Sequence, residues 1–312
     1  MSVSSLSISV RIPATSANLG PGFDALGLAL DLFNTLALTA ADADSLAVKG
    51  EGAAELDGAT TTIAHDAAHR VLRALDCDVL GVHLQMNNAI PLARGLGSSS
   101  AAIVGGMLAA NEWARAAHDK ALSPRALLDM ATTIEGHPDN VAPALMGGLV
   151  AAACEQVGDH LSVAAVRVPM KTWPQFAVWI PDAELSTHKA RGVLAPDVSR
   201  ADAIYNLSRS ALLVAALAAG DFAALGEALK DRLHQAQRAP LVPGFDTITS
   251  AATHAGALGA TLSGAGPTIL AWIAPGADAE NVRASIETAA LNSRVAGRAL
   301  VLKPSETGAM AI

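Results

Sequence analysis

Four short segments gather the glycines, hydroxyls, carboxylates and amides that can do chemistry together. The first reads PLARGLGSSSAA over residues 91–102. Gly95 and Gly97 permit a tight turn and a close approach of backbone to a ligand. Ser98, Ser99 and Ser100 then fall on the first turn of a helix. Free N–H groups and the positive helix end make an anion site there. The three hydroxyls add donors for phosphate and an oxygen ligand for Mg²⁺. The bland alternative is a glycine turn with a serine cap. No Gly-Lys pair occurs in the chain, which excludes a Walker A loop.

The second segment, TSANLGPGFD over residues 15–24, sets Asn18 and Asp24 around Gly20, Pro21 and Gly22. Gly20, Gly22 and Ala25 match the dinucleotide spacing G-x-G-x-x-A. Pro21 removes a donor, however, and the residues that follow alternate like a strand instead of opening a crossover helix. The third, EGHPDN over residues 135–140, packs Glu135, His137, Asp139 and Asn140 together. Its His-Asp pair serves either as an acid/base couple or as a helix-end cap. The fourth, LSGAGPT over residues 262–268, has glycines that either approach a ligand or shape a hairpin. Neither H-E-x-x-H nor G-x-S-x-G occurs.

These segments need elements to hold them. Alternation of Ile8, Val10 and Ile12 predicts a strand over 7–12, ended by Pro13. Further strands are expected over 28–39, 46–49, 82–86, 147–153, 163–168, 176–180, 258–262, 268–273 and 299–302. Apolar spacing of three and four predicts a helix over 62–75. Others are expected over 98–117, from Ser123-Pro124 to Glu135, over 201–219, 221–235, 245–255 and 278–291. EGHPDN is expected to be a polar loop. Strands and helices mix throughout, with hairpins, which favours α+β over a doubly wound sheet.

Composition narrows the function. The 312 residues suit two domains, and 51% hydrophobic residues suffice for a buried core. Charge is 21 − 29 = −8, and the pI is about 5.5. An acidic chain gains nothing from counterion release, and aromatics at 3% offer no base-stacking platform, so no nucleic-acid partner is expected. Cys77 and Cys154 lack neighbours at metal-ligand spacing, and reduced thiols fit a cytoplasmic protein. The longest apolar run, about 141–154, is too short to span a bilayer and contains Pro143. The opening MSVSSLSISVRIP reads as a strand and not as a signal peptide.

Together the four segments resemble the GHMP kinase superfamily, named for galactokinase, homoserine kinase, mevalonate kinase and phosphomevalonate kinase. PLARGLGSSSAA looks like its phosphate loop, P-x-x-x-G-L-G-S-S-A-A, and SGAGPT like its C-terminal glycine motif. Within the superfamily the chain is most similar to the homoserine kinase family. VRIPATSANLGPGFDALGLAL (10–30), EGHPDNVAPALMGG (135–148), THKAR (187–191) and HQAQRAPLVP (234–243) carry that similarity. The loop departs in one place, reading GLGSSSAA where GLGSSAA is usual, a small exchange at Ser100.

The resemblance implies an α+β, GHMP kinase-like two-domain fold, with mixed sheets packed against helices and a phosphate loop leading into a helix. It implies an ATP-binding domain over 1–150 and a C-terminal domain over 151–312. The implied reaction moves the γ-phosphoryl of ATP to the side-chain hydroxyl of L-homoserine, in threonine biosynthesis. Asn18, Asp24, Asn140, Thr187, Arg191 and Arg238 match the substrate pocket, with Asn140 and Asp24 in the catalytic roles. Pro91, Leu92, Ala93, Arg94, Gly95, Leu96, Gly97, Ser98, Ser99, Ser100 and Ala101 match the ATP loop, joined by Gly264 and Gly266. Ser99 and Glu135 match the Mg²⁺ ligands. Physical reasoning agrees with these roles. A zwitterion needs a carboxylate for its ammonium and arginine forks for its carboxylate. Asp24 supplies the first, Arg191 and Arg238 the second, and Asn140 holds the attacking hydroxyl in line. Phosphoryl transfer needs mainly positioning and charge neutralisation, so a strong base is not required; Asp24, His137 and Asp139 are the candidate proton acceptors. The readings to be distinguished are a related kinase acting on mevalonate-like or hydroxy-acid substrates and a sensor that has lost turnover. A homodimer is neither required nor excluded.

Overall fold

The fold is a computed structural model that describes residues 6–312; the expected reading of Met1 to Ser5 as the start of a strand lies outside them. The first half runs β1 (Ser7–Ala17), β2 (Leu26–Ala41), β3 (Ser45–Gly50), α1 (Ile63–Ala74), β4 (Gly81–Asn88), α2 (Ser98–His118), α3 (Pro124–Glu135), α4 (Pro138–Met146), β5 (Leu149–Val157) and β6 (His160–Arg167). The second runs β7 (Gln175–Pro181), α5 (Thr187–Gly192), α6 (Arg200–Ala219), α7 (Leu225–Ala228), α8 (Gln235–Arg238), α9 (Phe245–His254), β8 (Gly259–Leu262), β9 (Ile269–Ile273), α10 (Ala279–Asn292), β10 (Gly297–Leu302) and β11 (Met310–Ala311).

Among the described residues these strands form two sheets. One has the order β11-β1-β2-β4-β3, with β5 on β2 and β6 on β5. The other is β10-β7-β9-β8. The α+β expectation is therefore borne out, with helices packed against both sheets. The β5–β6 hairpin continues the first sheet past residue 150, and the chain passes to the second sheet between Arg167 and Gln175.

The alanine-rich helices explain how tightly the first layer closes. A Cβ on Gly106 of α2 would lie 2.2 Å from the Ala64 carbonyl of α1, and one on Gly105 would lie 3.0 Å from Ile12 of β1. Small residues let α2 lie directly on α1 and β1. Val10, Ile12, Leu36 and Leu84 of the sheet are buried together with Val104 and Trp113 of α2 itself. A second apolar cluster, with Ile248, Ile269, Ile273 and Ile286, lies between the other sheet and α9 and α10. No helix among the described residues is long and apolar enough to cross a membrane.

Four local expectations are corrected. Pro13 does not end β1; the strand runs on to Ala17, with a register shift between Pro13 and Ala14 that accommodates the missing N–H. EGHPDN is not a loop throughout. Gly136, at φ 91°, ends α3, and Pro138 opens α4, so Asp139 and Asn140 sit on a first helical turn. Residues 221–235 do not form one helix but a 3₁₀ turn, α7 and then a tight turn into α8. The Asp231 carboxylate takes the backbone N–H groups of Leu233, His234 and Gln235, and this side-chain capture competes with helix. The THKAR segment, with no helix expected, forms the short α5 behind the N-cap Ser186.

Candidate active site

The four segments, far apart in sequence, wall a single cleft of about 250 Å³. The phosphate-loop segment makes left-handed turns at Gly95 (φ 76°) and Gly97 (φ 71°). A Cβ at Gly95 would lie 2.3 Å from the Ser263 carbonyl, and one at Gly97 would lie 1.9 Å from Thr15 Oγ1. Gly97 is the N-cap of α2, and among the described residues no side chain caps that 21-residue helix. Its first-turn N–H groups are therefore available at the cleft beside Ser98 and Ser99.

The 262–268 turn locks against this loop. Ser263 Oγ donates to the Gly95 carbonyl at 2.6 Å, and Gly264 N donates to the Ala17 carbonyl at 3.1 Å. Asn18 spans the junction: its Nδ2 donates to the Gly264 carbonyl at 2.8 Å, and its Oδ1 accepts from Asp24 N at 3.0 Å. Asn18 (φ 67°) and Asp24 (φ 55°) occupy the left-handed region, which costs on the order of 1 kcal/mol each. That strain places the Asp24 carboxylate at the cleft.

Arg191, on α5, donates from Nη1 and Nη2 to the two Asp24 oxygens at 3.0 and 2.7 Å. The sequence expectation assigned these residues to opposite ends of a zwitterion; here they form a bidentate pair with each other. Arg238, only 1% exposed, comes from α8. The Phe23 ring centroid lies 5.6 Å from the Arg191 guanidinium and 5.4 Å from that of Arg238.

The third segment supplies the remaining wall. Asn140 Oδ1 accepts from Thr15 Oγ1 at 2.8 Å, which leaves the amide N–H₂ as a donor. Ser99 Oγ donates to Glu135 Oε2 at 2.9 Å. This is a pair of hard oxygens, but among the described residues no group of three or more His, Cys, Asp or Glu gathers for a metal. The pair therefore fits Mg²⁺ in the mode where phosphate and water oxygens supply the rest of its shell.

Asn18, Asp24, Ala93, Gly95, Gly97, Ser98 and Ser99 line the cleft, as do Glu135, Asn140, Thr187, Arg191, Arg238, Gly264 and Gly266. The remaining loop residues do not. Leu96 and Ala101 belong to the core, and Pro91 is buried and Leu92 partly so. Arg94 turns away to Glu184 Oε1 and the Asp182 carbonyl. Ser100 is wholly buried and its hydroxyl has no partner. Two residues past Ser98, the helical rotation carries it to the core side, so its expected role as a phosphate donor is corrected. Sequence reasoning missed Thr15, whose only signal was its place in the 15–24 segment, and Ser263, masked by its glycine neighbours.

His137 Nδ1 and Asp139 Oδ1 lie 2.6 Å apart, with side chains 14% and 2% exposed. Burial opposes a charge on His137, but the hydrogen bond and charge of Asp139, aided by Glu135, prevail and raise its pKa above the ordinary imidazole value. The pair's stabilisation is complete below the unfolded value of about 6.5 and is lost as pH rises through the folded one. Asp139→Asn should move the His137 titration, followed by its NMR shifts, below that ordinary value, because burial then acts nearly alone. An unmoved titration would remove Asp139 as the cause.

Comparison with known proteins follows the same lines. The family described as GHMP kinases N terminal domain matches residues 62–148, and GHMP kinases C terminal matches residues 213–292. The homoserine kinase of Desulfitobacterium hafniense is 45% identical over 305 residues, covering 97% of this chain and 99% of that one. That of Moorella thermoacetica is 45% identical over 263 residues, covering 84% and 86%. Among solved structures, homoserine kinase from Cytophaga hutchinsonii matches with TM-score 0.85 at 28% identity, over 98% of this chain and 97% of that one. A mevalonate kinase from L. major, with TM-score 0.69, 16% identity and 94% of each chain covered, shares the fold.

Proposed function

This chain belongs to the GHMP kinases and, among them, to the homoserine kinase family, and on that premise we propose how its cleft works. It phosphorylates the side-chain hydroxyl of L-homoserine with ATP, giving O-phospho-L-homoserine, which feeds threonine biosynthesis in the cytoplasm. One observation carries the reading: an uncapped helix N-terminus beside Ser98 and Ser99 shares a cleft with a carboxylate and two guanidiniums. The first suits phosphate, the second an amino-acid zwitterion.

The α2 N-terminus and the Gly95–Gly97 backbone receive the terminal phosphates. Ser99 and Glu135 would hold Mg²⁺, which when bound neutralises charge on the transferred group. The homoserine ammonium takes the place of Arg191 at Asp24, and the carboxylate takes the place of Asp24 at Arg191, with Arg238 as the second arm. Asn140 Nδ2 then steadies the attacking hydroxyl. With the ammonium on its carboxylate in place of Arg191, Asp24 acts by positioning the substrate. Both halves of the chain build the cleft: the phosphate loop, Asp24 and Asn140 come from residues before 150, and Arg191, Arg238 and Gly264 from those after.

The test is ADP release coupled to product identification. ATP with L-homoserine should turn over, and ATP with R-mevalonate should stay at background. The reverse preference would overturn the reading in favour of another kinase of the superfamily, and no turnover with either would favour a sensor.

A further inference from the structure

Behind the arginine clamp lies a buried polar network that the reaction as described does not use. His234 precedes α8, and its side chain has no exposed surface. We propose that His234 is a positioning residue that holds the Arg238 guanidinium in the orientation receiving the substrate carboxylate, and that it does so only as the neutral Nε2–H tautomer. The proposal rests on the amino-acid reading of the cleft.

The chemistry of its neighbours dictates that tautomer. His234 Nε2 lies 2.8 Å from the Gly20 carbonyl, and a carbonyl only accepts, so Nε2 carries the proton. His234 Nδ1 lies 3.2 Å from Arg238 Nη1, and a guanidinium only donates, so Nδ1 must be bare. Asp231 does not compete for the ring, since its Oδ2 is 3.9 Å from Nε2. Its oxygens instead accept from Asn206 Nδ2 at 2.7 Å and from three backbone N–H groups. Asp231 thus shapes the turn that carries the imidazole.

Arg238 is held at Nε and Nη1 and, among the described residues, left free at Nη2. Its Nε donates to the Ala190 carbonyl at 3.1 Å, and its Nη1 donates to the Gly264 carbonyl at 3.2 Å as well as to His234. Nη2 has no hydrogen-bond partner among the described residues, and Arg238 lines the cleft. His234 is the one side chain in this set; the other two contacts are backbone. It also ties Arg238 to the 15–24 segment through Gly20, so both ends of the zwitterion seat share a support.

Charging the imidazole would place a second N–H against Arg238 Nη1. Burial lowers the His234 pKa below its ordinary value and Arg238 acts in the same sense, against Asp231, the Gly20 carbonyl and Asp24. The neutral form therefore persists through the neutral range. As pH falls through the depressed value, the acceptor is lost and the KM for homoserine rises.

The experiment compares wild type, His234→Leu and His234→Gln on L-homoserine and on 3-amino-1-propanol, which keeps the ammonium and hydroxyl but lacks the carboxylate. His234→Leu should lower kcat/KM for homoserine about ten- to hundredfold, through KM. It should leave the amino alcohol and the KM for ATP within about twofold. His234→Gln offers one donor and one acceptor, so it should retain homoserine kcat/KM within about threefold while losing the acid rise in KM. Equal losses on both substrates, or an acid rise that persists in His234→Gln, would overturn the proposal. If His234→Leu does not fold, the acid limb of wild type against His234→Gln decides alone. A wild type that uses both substrates equally would instead overturn the amino-acid reading beneath it, a result recognisable before any variant is made.

Discussion

Gly97→Val is expected to abolish useful phosphoryl transfer, lowering kcat by about a thousandfold. Two causes combine. Residue 97 sits at φ 71° as the N-cap of α2, and a β-branched residue is strained there. A Cβ at that position also falls 1.9 Å from Thr15 Oγ1 and 3.3 Å from Asn140 Oδ1. Thr15 must yield, and with it the hydrogen bond that orients the Asn140 amide. One substitution thus displaces the phosphate seat and the group steadying the attacking hydroxyl. ATP affinity by calorimetry should fall together with kcat, while far-UV circular dichroism stays unchanged and Tm drops by a few degrees, since the strain is local and on the order of 1–3 kcal/mol. Ser100→Ala is the contrasting control. Its hydroxyl is buried without a partner, so removal should leave ATP affinity unchanged. Wild-type ATP affinity in Gly97→Val would remove the loop from the phosphate site.

What the sequence disclosed about this region was the backbone and not the wiring. The left-handed turns at Gly95 and Gly97 were legible because only glycine tolerates that conformation next to crowded backbone. The hydrogen bond between Thr15 and Asn140 was not legible, because it joins residues 125 apart in sequence and an interior threonine looks like any strand residue. Ser100 was misjudged because composition cannot show which face of a helix a hydroxyl takes; here α2 packs so closely on β1 that its third residue is enclosed. The 221–235 stretch misled for a related reason. Its apolar spacing reads as helix, but Asp231 gathers three backbone N–H groups that a helix would need. That departure from helix brings Arg238 to the cleft wall and sets His234 behind it, so the sequence pattern failed where the site is built. Pairing of Asp24 with Arg191 belongs to the same class: both residues were identified, but not that they would neutralise each other across 167 positions.

L-Homoserine should be used at least about a hundredfold better, in kcat/KM, than 4-hydroxybutyrate, which keeps the hydroxyl and carboxylate but lacks the ammonium. The Asp24–Arg191 pair is the reason. A zwitterion entering the cleft exchanges with both members, so each charge ends with a partner. The hydroxy acid takes Arg191 and leaves Asp24 facing it unpaired. Full burial would make this discrimination larger still, but the two side chains are 35% and 37% exposed, so water softens the penalty. Asp24→Asn should reduce the ratio to within about tenfold from both directions. Homoserine loses the ion pair for its ammonium. The hydroxy acid gains, because Arg191 no longer has a carboxylate to leave and no charge is stranded. Arg191→Ala separates this from a general defect: it should raise the KM for both acids and leave that for ATP nearly unchanged, since each uses the same guanidinium for its carboxylate. Equal use of the two acids by wild type would mean that Asp24 does not read the ammonium. The bidentate pair would then be a structural clasp between α5 and the 15–24 segment, and the cleft would be that of a hydroxy-acid kinase.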